Sequence, residues 1–267
     1  MTDFTTTARG DRLAYDRYGS GPGLVFIAGA GPFRAVDPVT TATAERVADL
    51  GITAVVFDRL GRGESAAHGV LDLDRELDAI AAAIEVAGGS AVLCGHSSGC
   101  SLALRAAVAG LPVTGLALWE APVATDADET EAWADEIERL IDAADTEGAQ
   151  RHYMKDMPPE WLAGAEASPE WLLIAAGVIS TRADAQSLAW ATAELASGSL
   201  SAIDVPVLAM YGTETFDEMP IGARMIVATV PRGVEKEMPG AMHSWDPSPM
   251  AAELAAFVTS VSVPVPR

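Results

Sequence analysis

Short apolar runs alternate along the first 120 residues with segments whose apolar positions recur every three or four residues. The runs are four or five residues long and end near glycine or proline, which is typical of strands buried on both faces of a parallel sheet. The intervening segments have the spacing of amphipathic helices. Predicted strands are 24–28, 53–57, 91–94 and 115–119, and predicted helices are 40–50, 72–87 and 98–109. This alternation predicts an α/β fold in which helices connect parallel strands.

The chain after Pro122 changes character and becomes helical. Residues 126–147 hold ten carboxylates and one arginine, yet their apolar side chains share one face at helical spacing. An amphipathic helix with a solvated acidic face explains this better than a cation site, because successive acids on a helix diverge. Further helical segments are predicted at 161–164, 169–179 and 182–196.

The alternation of strands and helices returns near residue 201. Strands are predicted at 205–211 and 234–238, helices at 220–230 and 249–261, and a hairpin at 5–18 forms one edge of the sheet. The sequence therefore predicts an α/β core domain, residues 1–122 and 201–267, with a mostly parallel sheet flanked by helices. A helical cap, residues 123–200, is inserted after the sixth strand.

Composition and charge argue against several classes of protein function. Of the 267 residues, 49% are hydrophobic and 21% are charged, which is ordinary globular usage and excludes a disordered chain. The net charge of −21 repels phosphate backbones and anionic lipids, so we expect no nucleic-acid and no membrane partner. The first twenty residues lack the apolar centre of a signal peptide, and Cys94 and Cys100 match no disulfide or zinc spacing. We therefore expect a cytoplasmic protein without a structural metal, and homo-oligomerisation stays open.

A G-x-S-x-G segment carries the strongest chemical signal. Gly95-His96-Ser97-Ser98-Gly99 directly follows a predicted strand and directly precedes a predicted helix. Such a turn holds its serine in a strained conformation, and flanking glycines are needed because a Cβ atom would collide with the neighbouring strand and helix. The turn predicts an exposed nucleophile, Ser97, at a helix N-terminus, where the N–H of Ser98 can stabilise an oxyanion. An ordinary glycine-rich turn is the alternative.

With this motif in its strand-turn-helix context, the chain resembles the α/β-hydrolase superfamily over nearly its whole length. Residues 58–65, Asp-Arg-Leu-Gly-Arg-Gly-Glu-Ser, resemble the family's D-x-x-G-x-G-x-S turn, for which the resemblance implies a structural role. Residues 28–32, Ala-Gly-Ala-Gly-Pro, stand where the family usually has His-Gly-x-Gly. Because the oxyanion hole uses a backbone N–H there, the resemblance implies that Gly29 or Ala30 supplies the second donor. A dinucleotide-binding reading of this segment is poor, because Arg34 takes the place of its third glycine.

A serine nucleophile needs a base, and His243 is the best placed of the four histidines. It lies in a loop after the last predicted strand and before the last helix, which resembles the family's histidine loop and keeps the order serine, acid, histidine. We expect His96 to pack beside the turn, His68 to lie on the surface, and His152 to lie in the cap.

The acid departs from the usual family pattern. Most relatives carry aspartate three residues after a glycine that ends the seventh strand, but Thr215 occupies that position after Gly212. Glu120 ends the sixth strand, where a carboxylate needs a partner such as a histidine N–H. This placement resembles one subgroup of haloalkane dehalogenases and, more closely, zearalenone-type lactonases. We therefore favour Glu120, with Glu214 and Asp217 as alternatives.

These residues predict a serine hydrolase that cleaves a fairly apolar ester or lactone without metal or organic cofactor. A serine nucleophile argues against dehalogenase and epoxide-hydrolase chemistry, which need a carboxylate. Carbon–carbon bond hydrolysis, perhydrolase or cyclase chemistry would use the same triad, and a non-enzymatic small-molecule receptor is an alternative of another class. Substrate contacts are expected from cap tryptophans, with Trp171 and Trp190 chosen as the residues that line the pocket.

Overall fold

The sheet is continuous and contains nine strands in the computed structural model, which describes residues 2–262. Its spatial order is β1-β2-β4-β3-β5-β6-β7-β8-β9. The strands are β1 (Asp3–Thr6), β2 (Arg12–Tyr18), β3 (Gly23–Ile27), β4 (Thr53–Phe57), β5 (Ala91–His96), β6 (Val113–Trp119), β7 (Val207–Glu214), β8 (Gly233–Ala241) and β9 (Ser244–Trp245). The six strands from β4 to β8 pair in parallel, and β1, β2 and β9 pair antiparallel at the two edges. The predicted mostly parallel sheet is confirmed.

Ten α-helices are present in residues 2–262. They are α1 (Pro38–Asp49), α2 (Leu73–Ala87), α3 (Gly99–Val108), α4 (Ala127–Asp142), α5 (Thr146–Met154), α6 (Pro159–Ala167), α7 (Trp171–Ala176), α8 (Arg182–Ser197), α9 (Glu218–Thr229) and α10 (Pro247–Ser262). Capping explains where several of them begin. The Asp37 carboxylate accepts a hydrogen bond from the N–H of Thr40 at the start of α1, and Asp72 does the same for Arg75 in α2.

The sheet is covered on both faces, as its continuous apolar strands require. Leu24 and Phe26 of β3 point toward α1 and α10, whereas Val25 and Ile27 point toward α2 and α3. All five residues of β3 and of β4 are buried. Both faces of the central strands therefore lie in the core, and the polar side chains of a site can only emerge at the strand ends.

Five helices, α4 to α8, lie between β6 and β7, within the segment predicted as the cap. The predicted helix over 126–147 is wrong at its end, because α4 stops at Asp142 and Ala144 adopts a left-handed φ of 58° before α5 begins. The predicted helix over 169–179 is shorter and continues as a 3-10 helix over Gly177–Thr181. Helix α8 contacts α4 within this segment and α2 and α3 of the core.

Three properties of the described residues bear on the expectations from composition. No single helix has the length and apolar composition needed to span a membrane, although the bent pair Pro159–Ala167 and Trp171–Ser197 passes that test when taken together. No cluster of three or more histidine, cysteine or acidic side chains suited to a metal ion occurs between residues 2 and 262. Cys94 and Cys100 are both free thiols and are buried.

Candidate active site

The predicted nucleophile lies on a strained turn between β5 and α3. Ser97 has a φ of 55°, in the left-handed region that residues with a side chain rarely adopt. Its N–H donates a hydrogen bond of 2.9 Å to the carbonyl of Trp119, which fixes the turn against the end of β6. The strain predicted for Ser97 from the motif is confirmed.

Close packing explains the two glycines of the motif. A Cβ atom on Gly95 would lie 2.6 Å from Cα of Cys100, and one on Gly99 would lie 2.2 Å from the carbonyl oxygen of Ile27. Both distances are impossible for real side chains. The turn can approach β3 and α3 this closely only because these two positions carry no side chain.

Glu120 and His243 meet at the carboxyl edge of the sheet. Nδ1 of His243 lies 2.5 Å from Oε2 of Glu120, and the N–H of Gly212 donates a hydrogen bond of 2.9 Å to Oε1 of the same carboxylate. Glu120 is 1% exposed. Both residues have positive φ values, 48° for Glu120 and 67° for His243, so each is held in a strained backbone conformation.

The environment of Glu120 favours its ionised form. Burial acts to raise the pKa of Glu120, but its hydrogen bonds, with that from His243 the strongest, outweigh burial and lower the pKa below its ordinary value. The alternatives Glu214 and Asp217 are both exposed and form no side-chain bond to His243. The structure therefore brings Glu120, and neither alternative, to the histidine.

The backbone of His243 is held by two neighbouring rings. Nε2 of His96 lies 2.8 Å from the His243 carbonyl oxygen, and Nε1 of Trp119 donates to the same oxygen at 3.3 Å. Burial lowers the pKa of His96 to about 4, with the nearby His243 adding to the effect. A neutral His96 must carry its proton on Nε2 to donate to that carbonyl. His96 thus packs beside the turn, as predicted, and also supports the loop of His243.

The expected oxyanion-hole residues lie around Ser97. A Cβ atom on Gly29 would lie 2.8 Å from Cβ of Ser97, so the 28–30 segment passes directly beside the nucleophile. Ser98 is buried and precedes the first turn of α3. Within residues 2–262, the N–H groups of Gly29, Ala30 and Ser98 donate no backbone hydrogen bond, so they are free to bind a ligand oxygen.

The turn at residues 58–65 holds the neighbouring 28–34 segment through hydrogen bonds. The Asp58 carboxylate accepts hydrogen bonds from the N–H groups of Arg34 and Glu64, as expected for a structural turn. Arg59 and Arg62 from the same turn reach the carbonyl oxygens of the 28–29 segment, a role that the sequence did not predict. The sequence signal for this role is a pair of arginines in a turn that directly follows a buried apolar strand, β4.

Aromatic side chains from the cap and from the loop after β7 approach His243. The rings of Trp161 and Phe216 each lie with centroids 6.5 Å from the His243 ring, and the two pack edge to face. Neither residue is predicted from the sequence to line the pocket, although Trp161 lies in the cap segment together with the predicted Trp171 and Trp190. The predicted Trp171 instead donates to Glu147 at 2.8 Å, and Trp190 packs against the core beside Arg105.

The remaining two histidines lie outside this cluster. His68 is exposed, and its carbonyl accepts a hydrogen bond from Arg75. His152 lies in α5, where its carbonyl accepts from Nε1 of Trp133.

Comparisons with known proteins agree with this architecture. A sequence model described as "Alpha/beta hydrolase family" matches residues 24–257. An alpha/beta hydrolase from Sphaerobacter thermophilus is 28% identical, with a TM-score of 0.74 over 96% of this chain and 99% of that one. The search of curated proteins gave no match.

Two more distant structures show the same fold. A thermophilic esterase from Thermogutta terrifontis is 21% identical, with a TM-score of 0.66, and the match covers 98% of this chain and 100% of that one. A candidate non-heme bromoperoxidase from Mycobacterium tuberculosis is 21% identical, with a TM-score of 0.65 over 94% of this chain and 97% of that one.

Proposed function

Because the chain belongs to the alpha/beta hydrolase family, we propose that it is a serine hydrolase that cleaves a carboxylic ester or lactone of a fairly apolar small molecule. The hydrogen bond between His243 and the buried Glu120 is the observation that carries the proposal. It supplies an oriented imidazole at the same sheet edge as a strained serine. Such an arrangement is what acyl transfer through a serine requires.

Acylation begins with the attack of Ser97 Oγ on the carbonyl carbon of the substrate. Glu120 holds the proton of His243 on Nδ1, which leaves Nε2 as an acceptor for the serine proton. The ionised Glu120 then stabilises the imidazolium that forms. The Ser97 hydroxyl makes no hydrogen bond to a residue in the described part of the chain. Its bond to His243 is therefore expected to form in the substrate complex, where such contacts tighten.

The negative charge that develops on the carbonyl oxygen needs donors that are already in place. The N–H of Ser98, together with that of Gly29 or Ala30, is proposed to bind it. The positive end of the α3 dipole acts at the same point. His243 returns its proton to the leaving group, and water attacks the acyl-enzyme with the same residues in the same roles. No step calls for a metal or an organic cofactor.

The apolar character of the substrate is proposed from the aromatic rings beside His243. Trp161 and Phe216 offer a partly exposed apolar wall next to the base. The resemblance to zearalenone-type lactonases makes a macrocyclic lactone a suitable probe besides simple esters. The proposed binding partner is a small-molecule substrate, and the proposed location of the protein is the cytoplasm.

A substrate panel tests the proposal. We expect hydrolysis of p-nitrophenyl esters or of a macrocyclic lactone by the wild-type protein, and a loss of at least about a thousandfold in Ser97→Ala. A fluorophosphonate probe should label the wild-type protein and fail to label Ser97→Ala. Absence of both hydrolysis and labelling would contradict a serine hydrolase. The probe could label the protein while only a carbon–carbon bond substrate is cleaved or only a peracid is formed. That result would support Ser97 as the nucleophile and would contradict ester or lactone cleavage.

A further inference from the structure

A group of buried charges lies between the cap helix α8 and the turn at residues 58–65. Arg59 donates from Nη1 to Oδ1 of Asp184 at 2.6 Å and from Nε to Oε1 of Glu76 at 3.0 Å. Arg62 donates from Nη2 to Oδ2 of Asp184 at 2.8 Å. All four side chains are buried, and two positive charges are balanced by two negative ones. We call these four residues the arginine-carboxylate cluster.

The two arginines of the cluster also hold the segment beside the nucleophile. Arg59 donates from Nη1 to the carbonyl oxygens of Ala28 at 3.1 Å and of Gly29 at 3.4 Å, and Arg62 donates to the Gly29 carbonyl oxygen. In a trans peptide the N–H points away from the C=O, so the N–H groups of Gly29 and Ala30 face the opposite side. A guanidinium on the carbonyl also polarises the peptide and strengthens its N–H as a donor.

The second half of the expected oxyanion hole is tied to the same carboxylate. The hydroxyl of Ser98 donates a hydrogen bond of 2.6 Å to Oδ1 of Asp184. Asp184 is 0% exposed. It lies in α8, a helix of the cap segment, and its side chain contacts Arg59 and Arg62 of the core. The Asp184 carboxylate is therefore hydrogen-bonded directly to Ser98. Through Arg59 and Arg62 it is also linked to the two peptides that carry the N–H groups of Gly29 and Ala30.

We propose that Asp184 is a positioning residue for the oxyanion hole, acting through Ser98 on one side and through Arg59 and Arg62 on the other. The inference rests on the proposed function and adds to it a requirement for the cap. With α8 packed against the core, the N–H of Ser98 and that of Gly29 or Ala30 are oriented together. Asp184 itself touches no reacting atom.

The charge state of Asp184 suits this role. Burial acts to raise its pKa, but the guanidinium groups of Arg59 and Arg62 outweigh burial and hold the pKa below its ordinary value. Buried ion pairs contribute little net stability compared with apolar packing, so a positioning function is a better reason for this arrangement than stability.

Three variants and one control separate positioning from general stability. Asp184→Asn removes the charge at the centre, Arg62→Met removes one link to Gly29, and Ser98→Ala removes only the hydroxyl link. Arg182→Gln is the control, because Arg182 lies on the same helix and is 5% exposed, yet it pairs with Glu138 and Asp142 of the cap.

The first measurement does not depend on activity. We expect the amide 1H and 15N chemical shifts of Gly29 and Ala30 to change in Asp184→Asn and in Arg62→Met, because the guanidinium groups on the carbonyls of these two peptides move. Arg182→Gln should keep the wild-type shifts of both amides. If the two cluster variants show the wild-type shifts, Asp184 does not hold the segment and the proposal is wrong.

The second measurement compares an ester with its thionoester. Sulfur is a weak acceptor and sits farther from carbon than oxygen, so an aligned oxyanion hole favours the oxygen substrate. We expect kcat for the ester to fall by about 10- to 100-fold in Asp184→Asn and in Arg62→Met, and the ester-to-thionoester ratio of kcat/KM to fall by about tenfold. Ser98→Ala should lower the ratio by about threefold.

The outcomes are distinguishable. A ratio that stays at the wild-type value in Arg62→Met and Ser98→Ala overturns the proposal even if Asp184→Asn fails to fold. A ratio that falls equally in Arg182→Gln also overturns it, because the effect would then come from cap packing in general. If the wild-type protein hydrolyses no ester, the proposed function fails, and the chemical-shift measurement alone decides whether Asp184 positions residues 28–30.

Discussion

The carboxylate of Glu120 lies 2.5 Å from Nδ1 of His243, although the two residues are 123 positions apart in the chain. Each ends or follows a strand, and each has a positive φ that brings its side chain toward the other. The second oxygen of Glu120 is held by the N–H of Gly212, so the carboxylate cannot rotate freely. We therefore propose that the acid comes from the end of β6, while Thr215 stands at the position after β7 where the family resemblance implies an aspartate.

Replacing this acid tests its role directly. We expect Glu120→Gln to lower kcat by about a thousandfold to ten-thousandfold, because the amide cannot hold His243 in the tautomer that accepts from serine. Glu214→Gln is the control, since Glu214 is exposed. Ester hydrolysis by both variants measures the effect. Near wild-type turnover in Glu120→Gln, with a large loss in Glu214→Gln, would show that the acid assignment is wrong.

The close packing around Gly99, in the turn between β5 and α3, predicts that a side chain at this position lowers the free energy of unfolding. Gly99→Ala should lower the free energy of unfolding by about 3 kcal/mol, because the new methyl group meets the backbone carbonyl of Ile27, which cannot move aside. Gly164→Ala is the matched control, since nothing lies within 4 Å of its Cβ position in α6. That control should be neutral or more stable by about 0.5–1 kcal/mol. Urea unfolding of both variants measures the difference, and equal stabilities would refute the packing argument.

The buried His96 predicts a pH dependence of stability. Its pKa is about 4 in the folded protein, against 6.5 for an ordinary histidine. Between these values the unfolded chain binds more protons than the folded one, so the free energy of unfolding falls as the pH decreases from 6.5 toward 4. We expect His96→Gln to make this fall smaller by about 2 kcal/mol between pH 6.5 and 4.5.

Urea unfolding at a series of pH values measures the contribution of His96. The control is His68→Gln at an exposed position, which should keep the wild-type pH dependence. An unchanged slope in His96→Gln would mean that the pKa of His96 is the same in the folded and the unfolded protein.

Aromatic residues beside the base predict where substrate selectivity lies. Trp161→Ala and Phe216→Ala should each raise KM for long-chain p-nitrophenyl esters by about tenfold, with a smaller effect on acetate, because each ring offers apolar surface near His243. Trp171→Ala should leave KM unchanged, since its indole is bonded to Glu147 within the cap. Steady-state kinetics across chain lengths measures this. A KM effect confined to Trp171→Ala would show that Trp171 lines the pocket, as the sequence predicts, and that the two rings beside His243 do not.

Much of this architecture follows from local patterns in the sequence. The continuous apolar strands, the glycine-flanked Ser97 and the carboxylate that ends β6 are each recognisable from a few neighbouring residues. Burial of Glu120 without a partner would be too costly, which already points to a histidine from another loop. The structure supplies that contact.

Features that depend on contacts across the fold were not predictable in the same way. The approach of Trp161 to His243 depends on how α6 packs, and the break after α4 comes from a left-handed Ala144 that gives no strong signal. Asp184 lies in a helix whose sequence gives no sign that two arginines more than 120 positions earlier will face it. Periodicity identifies which residues are inside but not which partners they meet.

The arginine-carboxylate cluster also limits how this protein can be re-engineered by exchange of its cap. A graft that replaces α8 with a helix lacking an acid at the place of Asp184 would leave Arg59 and Arg62 with Glu76 as the single remaining carboxylate of the cluster. An uncompensated charge in such a site destabilises a protein by about 3–5 kcal/mol. In chimeras with relatives, the crossover points should therefore be placed so that Arg59, Arg62 and helix α8 all come from the same parent.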